Sequence, residues 1–326
     1  MTLFRLLTEG THALERAKAP DAKQDARQLL LAAFHLDMVH FLMNRMQELE
    51  ENRHNQMSIK LYWEMIDRRC RRCPLQQILG NQEFMGLEFY VNRHVLIPRQ
   101  DTETLVELVL ADMEHRRNGE RLVENALLDL CTGSGCIAIS LAARGGFQKI
   151  TITDISEEAL KVAERNIRTL LPNWLLSRGE IPWREMFNIT EKMVEILQGD
   201  LFAALWEDSR KYDVITANPP YIPTAMISVL EPEVREHEPL LALDGAEDGL
   251  RYYKRIAAAA GGYLKPGGRI YLEIGFDQGG KVGKLLEFAG YEKIVVHKDL
   301  AGKDRVVVAV WPGSEEGWKE NQKKLV

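Results

Sequence analysis

"LLDLCTGSGCIAISLA", residues 127–142, runs from an apolar segment through a turn built on Gly133, Ser134 and Gly135 into a stretch that suits a helix. Strand, glycine turn and helix in that order open a doubly wound α/β fold. The glycines let the main chain come close to a ligand, and the first turn of the helix offers unpaired N–H groups to an anion. Residues 133–138, GSGCIA, also satisfy the relaxed dinucleotide pattern G-x-G-x-x-A, a weak signal when taken alone.

Outward from this unit, further short apolar runs read as strands at 126–131, 149–153, 194–198, 212–217, 269–274, 292–297 and 305–311. Segments able to hold helices separate the first five, which predicts a parallel sheet with helices on both faces. The last two lie close together and are expected as an antiparallel edge pair. Residues 1–73 show helical periodicity without strands, in Leu3, Leu6 and Leu7, then Leu29, Leu30, Ala33 and Phe34, then Leu61, Met65 and Ile66, and read as a small bundle. Its arginines Arg68, Arg69, Arg71 and Arg72 read as a solvated face. Residues 74–98, with "QEFMGLEFYV" and with Gly80 and Gly86 at turns, are expected as a β-hairpin linker. The α/β domain is placed at 99–312 and a polar tail at 313–326. Residues 171–193, with Trp174 and Trp183, form a long connection before the third strand.

The 326 residues are 45% hydrophobic and 28% charged, with a formal net charge of −6. No global positive field draws such a chain to nucleic acid or to an anionic membrane. Charges interrupt the apolar groups of the first twenty residues, and no later run reaches the length of a membrane span, so a soluble, cytoplasmic protein is expected. Four cysteines do not make a disulfide framework in a chain this long. Cys70 and Cys73 form a lone C-x-x-C pair read as free thiols, and no metal is assigned.

Asp154 ends the second strand, where a carboxylate can bind the two ribose hydroxyls of an adenosine, or else act as a second cap beside Ser156. Ser156 is the expected N-cap, followed by Glu157 and Glu158. After the third strand comes Gly199-Asp200-Leu201-Phe202. In a methyltransferase Asp200 would stand near an adenine amino group with Leu201 over the ring; alternatively it caps the helix that begins there. At this point the residues indicate a nucleoside cofactor, either a nicotinamide dinucleotide or S-adenosylmethionine.

"DVITANPPYIP", residues 213–223, supplies the chemistry. Asn218 closes the fourth strand, and its side-chain oxygen and the Pro219 carbonyl can both accept from one planar NH₂ group. Two acceptors on that group take its protons and leave the nitrogen lone pair facing a methyl donor, favouring a pyramidal nitrogen in the transition state. Proline stiffens the turn and adds no competing N–H. Tyr221 can lie against a flat amide. Read blandly, N-P-P-Y is only a rigid turn.

Together with "PLQQILGNQEFMGLEFYVNRHVLIPRQDTETLVE", "LDLCTGSGCIAISLA", "TDISEEAL", "GDLF", "ANPPYIP", "EPLLALDGAEDGLRYYKRI", "LKPGG", "LEIG" and "DLAGKDRVVVA", the chain resembles the HemK/PrmC family of protein glutamine N5-methyltransferases. That resemblance implies a class I S-adenosylmethionine-dependent methyltransferase fold, Rossmann-like with a seven-stranded, mostly parallel sheet, behind a helical bundle that binds the substrate. It implies methylation of the glutamine in the Gly-Gly-Gln motif of class I peptide chain release factors, by a monomer without membrane or direct nucleic-acid contact. Cys131, Thr132, Gly133, Ser134, Gly135 and Asp154 would bind S-adenosyl-L-methionine, with Asp200 and Leu201 around the adenine. Asn218 would touch cofactor and substrate, and Pro219, Pro220 and Tyr221 would complete the glutamine pocket with Arg99 and Glu103. Cys131 stands where the family usually has glycine, and Gln100-Asp101 departs from its more usual proline and glutamate. The alternatives carried are an adenine-N6 DNA or RNA methyltransferase, a glutamine methyltransferase of a ribosomal protein, and an inactive cofactor-binding scaffold. A nicotinamide dehydrogenase is disfavoured, since no proton-transferring His–carboxylate or Tyr–Lys arrangement is recognisable.

Overall fold

A computed structural model describes residues 1–117, 125–177, 192–205 and 210–313. The chain divides into two compact units, one of Met1–Asn81 with Leu230–His237, the other of Gln82–Val229 with Glu238–Val326.

The first unit holds five helices from the start of the chain, α1 (Leu3–Arg16), α2 (Ala22–Phe34), α3 (Met38–Asn44), α4 (Arg53–Cys70) and α5 (Leu75–Leu79), and a short sixth, Pro232–Arg235, from the segment Leu230–His237. Thr2, Asp37 and Asn52 cap α1, α3 and α4 by accepting main-chain N–H groups three residues on. Leu6, Leu14, Leu29, Leu30 and Tyr62 have no exposed surface. The Tyr62 hydroxyl donates to the Leu6 carbonyl at 3.2 Å, and a Cβ on Gly10 would lie 1.9 Å from that hydroxyl, so only glycine fits there. Arg69 and Arg72 are not a solvated face. Arg69 is 3% exposed, donating to Asp25 Oδ2 at 2.6 Å and to Glu233 Oε1 at 2.8 Å. Arg72 grips the same Glu233 with Nε and Nη2 at 2.7 and 2.6 Å. Buried guanidiniums need counter-charges, and the one that arrives from 230–237 is invisible to helical periodicity.

The second unit begins with a hairpin, β1 (Asn81–Phe84) and β2 (Leu87–Tyr90), whose turn carries Gly86 at φ +71°. The expected linker is part of this unit's interior: Phe84 and Phe89 pack with Leu105 and Val109 of α6 (Gln100–Arg117). There follow β3 (Ala126–Leu130), α7 (Cys136–Arg144), β4 (Lys149–Asp154), α8 (Glu157–Ser177), β5 (Val194–Gln198) and β6 (Tyr212–Ala217). Then come α9 (Arg251–Ala260), β7 (Leu264–Glu273), α10 (Gly279–Phe288), β8 (Glu292–Lys298) and β9 (Asp304–Val310). The sheet order is β5-β4-β3-β6-β7-β9-β8, parallel through β7 and antiparallel for the last two strands. The sheet is class I methyltransferase-like, as expected. Its seventh strand in sequence, β9, lies inside β8, and β7 starts at Leu264 rather than 269 because the Pro266-Gly267-Gly268 break is bridged by pairing of Leu264 with Tyr212.

Successive strand residues point to opposite faces. Leu127, Val214 and Tyr271 join one apolar cluster with α6, α7 and α8, while Leu128, Ile215 and Ile270 join another with α9 and α10. The connection expected at 171–193 is helical to Ser177. Trp174 donates to the Ala143 carbonyl at 2.9 Å, and Trp183 lies outside the described residues. Strand order reverses between β3 and β6, and the carboxyl ends of doubly wound strands at such a point are where ligands bind.

Candidate active site

A cavity of about 310 Å³ opens at that point in the second unit, lined from the glycine loop, the ends of β4, β5 and β6, and α9. Its size is that of an ordinary small-molecule site. The loop closes over β3 through hydrogen bonds from Thr132 N to the Thr153 carbonyl at 3.0 Å and from Gly135 N to the Thr132 carbonyl at 2.8 Å. Gly133 has φ +55°, and a Cβ there would meet nothing within 4 Å, so it is the conformation and not a lack of space that favours glycine. At Gly135, φ +81°, a Cβ would also press on Ile139 and Ala163 at 3.1 and 3.3 Å. Cys131 shares the left-handed conformation, φ +55°. That explains the glycine usual at this place in the family and makes the cysteine a strained substitute.

Under the loop lies Asp129, fully buried, which the sequence reading missed. Its carboxylate accepts from the Thr132 hydroxyl at 2.6 Å and the Thr216 hydroxyl at 2.7 Å. Burial pushes its pKa up to about 6 against the pull of those hydroxyls. Asp154 accepts Gly133 N and Ser156 N, one on each oxygen and both at 2.9 Å. It therefore holds the loop and the start of α8 together, and each oxygen keeps a lone pair. Burial raises its pKa, opposed by these main-chain donors. Ser156 caps α8 by accepting from Ala159 N at 3.2 Å.

The Asp200 side chain is held by a neighbour that the motifs gave no sign of, the Arg255 guanidinium. Leu201 is buried beside it at φ +55°. Arg255 and Tyr252, both on α9, line the cavity.

Asn218 and the buried Pro220 line the same cavity, whereas the buried Pro219 and the half-buried Tyr221 do not. The segment Leu243–Leu250 fixes this turn. Ile222 N donates to the Leu243 carbonyl at 3.0 Å and Gly245 N to the Ile222 carbonyl at 2.8 Å. Gln278 Nε2 donates to the Tyr221 carbonyl at 3.0 Å. Burial pushes the Tyr221 phenol pKa well up, and Glu273 adds to this. Arg99 lines the cavity and donates to Glu238 Oε1 at 2.6 Å, whereas Glu103 lies away from it and accepts from Met85 N in the hairpin turn at 2.6 Å. Asp101, left without a role by the sequence, pairs with Arg305 at 2.9 Å.

The cavity suits an S-adenosyl group on its own features. The space before Gly133, the uncapped N-terminus of α7 and the Asp154 carboxylate all face or flank it. Among the described residues no group of three or more His, Cys, Asp or Glu is placed to hold a metal ion, and no helix is long and apolar enough to cross a membrane.

Two family models match the chain, the PrmC N-terminal domain over residues 5–80 and the methyltransferase small domain over residues 103–229. The release factor glutamine methyltransferase of Clostridium acetobutylicum is 38% identical over 290 residues, covering 89% of this chain and 92% of that one. That of Moorella thermoacetica is 39% identical over 310 residues, covering 95% and 98%. The hMettl16 catalytic domain, solved in complex with MAT2A 3′UTR hairpin 6, superposes with a TM-score of 0.50 at 15% identity, covering 78% of this chain and 83% of that one. That likeness is one of fold.

Proposed function

The chain belongs to the release factor glutamine methyltransferase family, and from that premise we propose that it methylates the side-chain amide nitrogen of the Gly-Gly-Gln glutamine in class I release factors, using S-adenosylmethionine. The observation that carries this reading is the meeting of Asn218 with the glycine loop, Asp154 and Asp200 around one cavity.

In this reading the main chain of 131–135 receives the methionyl carboxylate, Asp154 the ribose hydroxyls, and Asp200 with Leu201 the adenine. The bound donor supplies a methyl group on a positively charged sulfur. Asn218 Oδ1 and the Pro219 carbonyl accept the two protons of the substrate amide and turn its nitrogen lone pair toward the donor. Tyr221, which does not line the cavity, supports the turn that carries Asn218, and Arg99 lines the cavity. A carboxamide nitrogen is a poor nucleophile, so binding that favours its pyramidal form acts on the transition state more than on the ground state. No general base is required, because the nitrogen becomes acidic once methylated and then releases its proton to water. The bundle of the first unit is assigned to holding the release factor outside its glutamine loop. The protein acts as a monomer in the cytoplasm.

The test is methyl transfer from labelled S-adenosylmethionine to a release factor, to its Gly-Gly-Gln→Gly-Gly-Ala variant and to double-stranded DNA. Label on the first alone is expected, and label on DNA would give the turn to adenine instead. Asn218→Ala should lower kcat on the order of a hundredfold while S-adenosylmethionine still binds; wild-type turnover would remove Asn218 from the chemistry. Deleting the bundle should weaken methylation of intact release factor far more than that of a Gly-Gly-Gln peptide.

A further inference from the structure

Ala217 and Leu272 are register partners in the parallel strands β6 and β7, and Asn218 and Glu273 follow them, Glu273 as the last residue of β7 and still paired with Val306 of β9. Glu273 is 2% exposed, and its Oε2 has no hydrogen-bond partner among the described residues. A buried acid with an unpaired oxygen is costly and needs a reason. The groups around it are those of the proposed glutamine pocket. The Thr102 hydroxyl and the Asn218 amide stand near enough to its carboxylate to lower its pKa, Arg305 and Asp101 are its charged neighbours, and Tyr221 feels its charge. Its strand end is fixed by the Tyr253 hydroxyl, which donates to the Glu273 carbonyl at 2.7 Å.

An asparagine amide has one accepting end and one donating end of nearly the same shape, whereas an ionised carboxylate can only accept. A carboxylate beside Asn218 therefore draws its NH₂ inward and turns Oδ1 to the cavity. We propose that Glu273 is a positioning residue for methyl transfer, selecting by a hydrogen bond from the Asn218 amide the orientation in which Asn218 Oδ1 meets the substrate amide protons. Glu273 does not line the cavity and acts through Asn218. The inference rests on the reading of Asn218 given above.

The protonation state of Glu273 decides the orientation. As a neutral acid it can donate to Asn218 Oδ1, which turns the asparagine NH₂ toward the substrate NH₂, two donors face to face. Burial, opposed by Thr102, Arg305 and Asn218, places the Glu273 pKa at about 7. The groups facing it are Asp101 and Thr102 of α6, Arg305 of β9, Asn218 and Tyr221 after β6, Tyr253 of α9 and Cys136 of α7. Turnover is therefore expected to rise with pH through about 7.

The experiment measures kcat, KM for S-adenosylmethionine and the pH profile of release-factor methylation by wild type, Glu273→Gln and Thr102→Val. A glutamine presents either end to Asn218, so kcat should fall about tenfold with KM for S-adenosylmethionine unchanged and the inflection near 7 gone. Thr102→Val removes a donor to the ionised form and should move the inflection upward. Wild-type kcat and an intact inflection in Glu273→Gln would overturn the proposal. So would a fall in kcat matched by an equal loss of cofactor affinity, which would make Glu273 a residue of the fold, or an unmoved inflection in Thr102→Val. A wild type that labels no release factor would instead overturn the reading of the site itself, and the two failures are told apart by that control.

Discussion

Arg255 holds Asp200 with both prongs of its guanidinium, Nη1 on Oδ1 at 3.0 Å and Nη2 on Oδ2 at 2.9 Å. The two side chains are 40% and 44% exposed, and an ion pair so open to water contributes about 0–1 kcal/mol to stability. What the fork does is fix the plane of the carboxylate, leaving one lone pair of each oxygen free at the cavity wall.

If Asp200 receives the adenine amino group, Asp200→Ala should weaken S-adenosylmethionine binding by about tenfold, the cost of one hydrogen bond to a charged acceptor. Arg255→Ala should weaken it less, because the carboxylate remains and only loses its alignment. Both variants should unfold within a degree or two of wild type. Calorimetric titration with S-adenosylmethionine checks this, and equal, small losses in the two variants would reduce Asp200 to a surface partner of Arg255.

Asp129, buried in the sheet unit, and Glu233, half-buried in the bundle, respond to acid in opposite directions. Asp129 in the sheet unit titrates at about 6, above the usual 3.9 of an unfolded chain, so the native state binds its proton first. Its contribution is fully present below the unfolded value and is lost as pH rises through about 6. Glu233 in the bundle runs the other way. Burial would raise its pKa, but the Arg72 and Arg69 guanidiniums outweigh burial and hold it at about 2, so its stabilisation is present above the unfolded value near 4.3 and is lost as pH falls toward 2. Thermal unfolding between pH 8 and 3 should show the sheet unit gaining Tm as pH falls toward 5, a gain smaller in Asp129→Asn because Glu273 still contributes its share. The loss of bundle Tm between pH 5 and 3 should be smaller in Glu233→Gln than in wild type. The same pH dependence in variant and wild type would detach that acid from the effect.

The sheet and the loop were legible in the sequence because both are written in local patterns. Strand alternation, the two loop glycines and the order of the strands fall within windows of a few residues, and so do Asp154 and Asn218 at strand ends. What was not legible depends on partners far along the chain. Asp129 reads as one more strand residue until Thr216, 87 residues away, is seen to donate to it. Arg69 and Arg72 read as solvated until Glu233, 164 and 161 residues on, supplies their counter-charge. Glu273 was quoted only as part of "LEIG", and its meaning lies in the register of β6 against β7. Tyr221 and Pro219 were given to the pocket by their motif, yet Asn218 and Pro220 line it and they do not, since a turn that stiffens one residue must itself be packed.

That packing is open to direct test at Gly249. It has φ +70°, and a Cβ there would stand 2.4 Å from the Tyr221 carbonyl oxygen and 2.6 Å from Gln278 Nε2, the donor that holds the same carbonyl. Gly249→Ala therefore meets main chain that cannot yield without shifting the N-P-P-Y turn, and the left-handed conformation adds strain of about 1–2 kcal/mol. The glycine loop, Asp154 and Asp200 are untouched by that shift. The expected outcome is a fall in kcat for release-factor methylation of on the order of a hundredfold, as when a distant change misplaces reacting groups by about 1 Å. S-adenosylmethionine affinity should change by less than about threefold, a separation that single-turnover kinetics beside equilibrium binding would measure. If affinity falls as far as turnover, the segment supports the whole cavity, and the specific tie between Gly249 and the Tyr221 carbonyl is not what orients Asn218.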